Sequence, residues 1–189
     1  GDGDWPTILG PIRHSMDAET QLFVASTIFD GDGSLTALLT DNHGYMSNQT
    51  VPIYGDQAQR IEGPEVRWRY GSVAFSMGSS RTLTLYPVSL PADQRAGILT
   101  LPSVLAIGAY PVHPAPIIRG KRILERVACQ DLGIPLPGAE AEAPPDTEDA
   151  ESTNRERTAA ATSPATCDAC HAVLNPPGFA FESYDAMGR

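Results

Sequence analysis

The sequence predicts a mainly α-helical chain with long irregular loops and a small β-hairpin insertion. Three observations carry this reading. Apolar residues recur at roughly helical spacing between Ser15 and Phe29, apolar and polar residues alternate in two runs between Ile61 and Leu90, and 17 glycines and 17 prolines are spread over 189 residues. Such a Gly and Pro content favours long connections over tight helical packing. With 41% hydrophobic residues, the chain can bury the core of one ordinary domain or two small ones.

Met16, Leu22, Phe23, Val24, Ala25, Ile28 and Phe29 supply the stripe of the first helix, with Asp17 and Glu19 in its first turn. Asp30-Gly31-Asp32-Gly33-Ser34 stops it, and Ser34 can cap a second short helix through Leu35, Leu38 and Leu39, giving a helical hairpin. Asp30, Asp32, Ser34 and Asp41 stand at positions one, three, five and twelve of a calcium loop. The glycine needed at position six is Leu35 and the terminal Glu is Asp41, so a plain turn is the better reading. Val66, Trp68 and Tyr70 alternate with Arg67 and Arg69, and Thr82 to Tyr86 forms the returning strand, a small antiparallel patch between Ile61 and Leu90. The two arginines read as a solvated strand face.

Arg95 to Ile107 is apolar and punctuated by Gly97, Pro102 and Gly108, and Arg119 to Ala128 reads as a helix with Ile123, Leu124 and Val127 on one side. Prolines dominate Gly133 to Pro145, and Glu140, Glu142, Asp146, Glu148, Asp149 and Glu151 make the tract acidic, as in a linker. A short polar helix from Thr153 to Ala161 then leads to the C-terminal segment. His14, His43 and His113 lie in separate segments without an acid or thiol at metal-ligand spacing, which favours surface or structural roles.

The net charge of -10 argues against nucleic acid and anionic membrane surfaces as partners. No hydrophobic run is long enough to span a bilayer, and no signal-peptide pattern opens the chain.

Cys167-Asp168-Ala169-Cys170-His171 carries the chemistry. Cys-x-x-Cys-His is the attachment signal of a c-type haem: two thiols three positions apart reach the two vinyl groups of one porphyrin, and the adjacent imidazole falls beneath the iron. Zinc needs a fourth ligand, and the chain's other thiol is Cys129. A thioredoxin-like pair would follow a strand, whereas this one follows an Ala, Thr and Pro-rich tract. A disulfide between Cys167 and Cys170 would close a strained loop and leave His171 without a role. Covalent haem is attached outside the cytoplasm in bacteria, so a periplasmic or extracellular location is expected. Residue 1 then reads as a processed end or the start of a fragment, with sequence missing on both sides.

The continuation Ala172-Val-Leu-Asn-Pro-Pro-Gly-Phe-Ala-Phe-Glu-Ser-Tyr-Asp-Ala-Met-Gly-Arg189 resembles the C-terminal haem segment of the large planctomycete-type cytochrome c family, also abundant in myxobacteria. Arg95-Ala96-Gly97-Ile98-Leu99-Thr100, Arg119-Gly120-Lys121 and Cys129-Gln130 resemble the same family in the same order, and Ser34 to Thr40 resembles the helical domain that usually precedes them. The resemblance implies an exported haem protein, usually much longer than this chain. It implies residues 1–60 as the end of a larger helical domain, 61–93 as the hairpin insertion, and 94–189 as a cytochrome c-like haem domain that includes a linker at 133–152.

His171 is then the expected proximal ligand and Cys167 and Cys170 the thioether anchors, with the Asn175-Pro176 segment presenting a backbone carbonyl to the other imidazole nitrogen. Phe179, Phe181 and Tyr184 are expected to wall the porphyrin. Met187 is the nearest candidate for the sixth ligand, with Met46, Met77, His113 or a residue of another segment as alternatives. The expected function is mono-haem electron transfer within an exported redox assembly. A peroxidase- or dehydrogenase-like haem enzyme and an interaction module with a structural haem are the alternatives. The expected partners are another redox protein or subunit, and a segment or chain that pairs with Cys129 through a disulfide.

Overall fold

A computed structural model describes residues 5–71, 80–110, 113–134 and 152–189. The expected linker and Met77 fall largely or wholly outside them. The described residues are predominantly helical, with one small antiparallel sheet. They divide into two compact units, one formed by residues 1–104 with 188–189 and the other by residues 105–187.

The first unit opens with helix α1 (Trp5–Ala25), which runs into a π-helical stretch at Ser26–Asp30. The helix thus begins about ten residues before the apolar stripe. Of that stripe, Met16 and Phe23 are buried, whereas Ile28 and Phe29 are 47% and 81% exposed. The wider π turn rotates these two away from the face that α1 buries. The inward face is completed instead by Ser15, Ala18, Glu19 and Thr27, at helical spacing. Asp32 Oδ1 accepts the Ser34 N–H at 2.8 Å, and Ser34 Oγ caps α2 (Leu35–Thr40) by accepting from Ala37 N at 3.0 Å. The hairpin thus turns by side-chain capping, as its Asp, Gly and Ser content dictates.

The sheet is built from β1 (His43–Met46), β2 (Gln59–Arg60), β3 (Val66–Gly71) and β4 (Ser80–Ser89), with the short α3 (Val51–Tyr54) between β1 and β2. The first half of β4 pairs with β3, Leu85 opposite Val66, and its second half lies between β1 and β2. Leu83 and Leu85 point inward and pack with Ala18, but the next buried residues are Val88 and Leu90, which join Phe23, Tyr54 and Leu101. The alternation slips by one at Tyr86-Pro87, which is also where the partner strand changes. Gly97 holds a left-handed φ of +61°, and its N–H donates to Asp41 O at 2.7 Å. A side chain there would overlap the Leu39 carbonyl as well as strain the backbone.

Glu19 is fully buried and accepts the Tyr54 hydroxyl hydrogen bond through Oε1, while Oε2 has no partner among the described residues. Burial pushes its pKa up to about 8 against the Tyr54 hydrogen bond and the Arg95 charge, which lower it. The folded state therefore holds a proton that the unfolded chain releases near the ordinary carboxylate value. Stability is full below that value and falls as pH rises toward 8, by up to about 1.4 kcal/mol per pH unit. Urea melts at pH 5 and pH 8 should show this loss, and Glu19→Gln should flatten it. An unchanged slope in the variant would remove Glu19 as its source.

Candidate haem-attachment site

The second unit contains the end of α4 (Pro102–Ala106), α5 (Pro116–Arg122) with a π-type extension at Ile123–Val127, α6 (Asn154–Ala161) and α7 (Ala165–Phe179). The Cys-x-x-Cys-His motif lies in the first half of α7. Pro164 starts this helix, its carbonyl accepting the Cys167 and Asp168 N–H groups at 2.8 and 2.9 Å, and Asp168 favours the helix dipole from the first turn. Spacings of three and four residues bring Cys167, Cys170 and His171 onto one side of α7. Cys170 is exposed, Cys167 half-buried, and both are free thiols.

Asn175, one turn after His171, is only 9% exposed. Its Oδ1 lies 3.2 Å from His171 Nδ1, and its Nδ2 donates to Thr162 Oγ1 at 2.8 Å. Thr162 Oγ1 in turn donates to the Thr158 carbonyl at 2.8 Å. The chain has a direction. With the Thr162 proton committed to Thr158, the threonine oxygen accepts from the Asn175 amide, which turns Oδ1 toward the imidazole. An acceptor there requires the proton on Nδ1 and leaves the His171 lone pair on Nε2.

The expected backbone carbonyl of the Asn175-Pro176 segment is therefore replaced by the Asn175 side chain. Helix carbonyls point along the axis toward the C-terminus, whereas His171 lies one turn in the opposite direction. Pro176 and Pro177 lie inside α7 and remove two helical N–H donors. Gly178 follows, and it sets the packing of the unit.

α5 and α7 run antiparallel at very close range: Gly178 faces the Pro116 carbonyl and Gly120 faces that of Leu174. The Ile123–Val127 extension also packs on α7. It ends at Cys129, exposed and at φ 52°, with Gln130 N donating to Leu124 O at 2.8 Å. Cys129 thus takes the left-handed closing position usually given to glycine.

Arg119 is 5% exposed and holds four backbone carbonyls. Nε and Nη2 donate to Leu105 O at 3.2 and 3.0 Å, Nη1 to Phe181 O and Tyr184 O at 2.8 and 3.1 Å, and Nη2 to Asp185 O at 2.8 Å. Burial lowers its pKa, opposed by the Glu182 and Asp185 charges. Of the expected aromatic wall, Phe181 and Tyr184 pair with ring centroids 6.4 Å apart, and Phe179 lies beneath the Arg155 guanidinium at 5.1 Å. Met187 is half-buried, and its N–H donates to Asp185 Oδ1 at 2.8 Å. His113 pairs with Tyr110, ring centroids 4.8 Å apart, while Met46 belongs to β1 of the first unit. The α6 helix is fixed by a capping box between Thr153 and Glu156, and its Asn154 donates to Glu182 Oε2 at 2.7 Å.

The donor set fits a covalently attached haem: two accessible thiols and an imidazole share one side of a helix, and a buried amide holds the imidazole tautomer that leaves Nε2 available. A family model, PSCyt3, described as a protein of unknown function (DUF1588), matches residues 95–189. The chain belongs to the PSCyt3 family. This is the planctomycete cytochrome c family that the C-terminal segment resembles. The PSCyt3 match begins at Arg95, whose guanidinium donates to Thr100 O and Gly188 O at 2.7 Å each. It takes in the Gly120 and Gly178 crossing, the Arg119 hub and all of α7. No curated protein and no solved structure matches the chain.

Thr162, and the roles of Arg119 and Gly178, escaped sequence reasoning. Thr162 stands 13 residues before its partner Asn175, at a distance set by how α6 meets α7 and not by a local pattern.

Proposed function

We propose that this PSCyt3 chain provides a mono-haem c-type electron-transfer domain of an exported redox protein or complex. The observation that carries the reading is the Cys167, Cys170 and His171 face of α7 with its Asn175 and Thr162 relay. Cys167 and Cys170 would hold the porphyrin through thioethers, and His171 Nε2 would take the iron. The bound group supplies a one-electron iron couple. The protein's part is to keep the imidazole in one tautomer and one orientation, which lowers the reorganisation that each electron transfer demands. Members of the family are typically exported, and no helix among the described residues is long and apolar enough to cross a membrane. Met187 is the sixth-ligand candidate nearest in sequence, its backbone fixed on Asp185 beside the Arg119 hub, and His113 is the alternative within the same unit. The exposed thiol of Cys129 is available for a disulfide to another segment or chain, and a redox subunit is the proposed partner.

A pyridine haemochrome spectrum with denaturing mass spectrometry tests the central claim. A haem c signature and the haem mass on the peptide holding Cys167 and Cys170 is the expected result. Unmodified thiols after maturation in a haem-attaching host would overturn it. Asn175 gives the finer test on the haem-loaded protein. Asn175→Asp, a stronger acceptor for the Nδ1 proton, should lower the reduction potential, and Asn175→Leu should raise it. Equal potentials in the two variants would remove Asn175 from control of the axial ligand.

A further inference from the structure

The first unit holds a second constellation of reactive side chains, with no part in the haem chemistry. Ser26 Oγ lies 2.8 Å from His43 Nε2, and His43 Nδ1 lies 3.0 Å from Asp41 Oδ2. The other Asp41 oxygen, Oδ1, accepts the backbone N–H of His43 at 3.1 Å, so the carboxylate is anchored at both ends on one residue. Partial burial pushes the Asp41 carboxyl up, but hydrogen bonds from the His43 backbone and ring, the His43 charge and the Asn42 backbone more than offset it, and its pKa is lowered. An ionised Asp41 on Nδ1 selects the tautomer with its proton there, and Nε2 becomes the acceptor for the Ser26 hydroxyl.

The imidazole is held from two sides. Phe23 stacks on it with ring centroids 4.7 Å apart at 28°, and Tyr45 meets it edge-on at 6.4 Å. Ser26 has a second acceptor for its proton in Phe23 O at 3.1 Å, longer than the contact to His43. The serine is half-buried and opens the π-helical stretch, a local geometry that recurs at functional sites. The same stretch presents Ile28 and Phe29 to solvent, an apolar surface within one turn of Ser26. Nucleophile, base and orienting acid are thus joined in sequence by two hydrogen bonds.

We propose that Ser26 is a nucleophile activated by His43 and oriented by Asp41, which accepts the acyl group of esters with an apolar acyl chain. Ser26 Oγ bonds to the ester carbonyl carbon while its proton passes to His43 Nε2. The carbon–oxygen bond to the alcohol breaks, and the alcohol departs with that proton. Water, deprotonated by His43, then cleaves the acyl group from Ser26 and restores the hydroxyl, so that ester and water give acid and alcohol.

The probe is a fluorophosphonate bearing an alkyl chain, applied to the full chain, with the adduct located by peptide mass spectrometry. The native protein should carry the adduct on Ser26, and protein unfolded in urea should not. Asp41→Asn keeps the shape but favours the wrong tautomer, and should slow labelling by about tenfold or more. His43→Gln should abolish it. Thermal melts establish that each variant is folded. An unlabelled Ser26 in the native protein overturns the proposal, as does labelling at an unchanged rate in either folded variant.

Discussion

Replacing Gly178 with alanine should cost the second unit about 3 kcal/mol or more, at the upper end of what overpacking does. The added methyl would overlap the Pro116 carbonyl oxygen, and the neighbouring atoms it meets are backbone. No rotamer change relieves such a clash; α5 and α7 must move apart along their crossing. Gly120→Ala should behave alike, because its methyl would overlap the Leu174 carbonyl. The double variant should cost less than the two singles together, since the first methyl has already opened the crossing. Gly10→Ala is the control: nothing lies within 4 Å of a Cβ there, and α1 should gain about 0.5–1 kcal/mol from the change. Urea denaturation read by the haem absorbance of loaded protein would measure the second-unit effect. A loss below about 1 kcal/mol for Gly178→Ala would mean that the helices are not held at this distance.

Removing the Arg119 guanidinium should have an effect of similar size, by a different route. Arg119→Met preserves most of the side-chain volume but leaves the carbonyls of Leu105, Phe181, Tyr184 and Asp185 without their shared donor. The Phe181 carbonyl keeps the Tyr184 N–H at 3.2 Å, and at about 1–3 kcal/mol for each of the other acceptors, with some regained from water, a total of about 3–5 kcal/mol is expected. Arg119→Lys should recover only a minor part, because a single ammonium cannot span four acceptors in a fork. Hydrogen exchange should localise the damage to residues 181–187. Protection there equal to that of the unaltered protein would show that Arg119 does not hold this segment.

Local signals were read well from the sequence, and contacts across the chain were not. Ser34 as a cap, the turn at Asp30 to Gly33 and the helix preceding the haem motif depend on residues within a few positions of one another, and the hairpin of β3 and β4 on strands consecutive in the chain. Apolar spacing misses the buried face of α1 because its polar members bond to remote residues: Ser15 to Ser47, Glu19 Oε1 to Tyr54. Apolar periodicity cannot report such pairs. β1 escaped for the same reason, since a four-residue strand is defined by the β4 segment it pairs with, forty or more residues later. At the motif, residue types and spacing named the two thiols and the imidazole. The partner of His171 lay within the expected dipeptide, but only the helical state of Asn175 shows that its side chain, not its carbonyl, faces the ring. Ser26 and His43 were 17 residues apart with no pattern to connect them.

The glycine crossing has a consequence for how freely this part of the chain can change in length. Because α5 and the motif helix are joined by direct contact, the chain that leaves the α5 extension at Val127 must return to the same unit at Asn154, where α6 begins. In the unfolded chain, the entropy of closing such a loop rises only with the logarithm of its length, about 0.6 kcal/mol for each doubling. The acidic, proline-rich tract could therefore shrink or grow severalfold at the cost of a single weak hydrogen bond, with the thiols and the imidazole still docked in the same place. The length of this tract is thus nearly independent of where the thiols and the imidazole are placed.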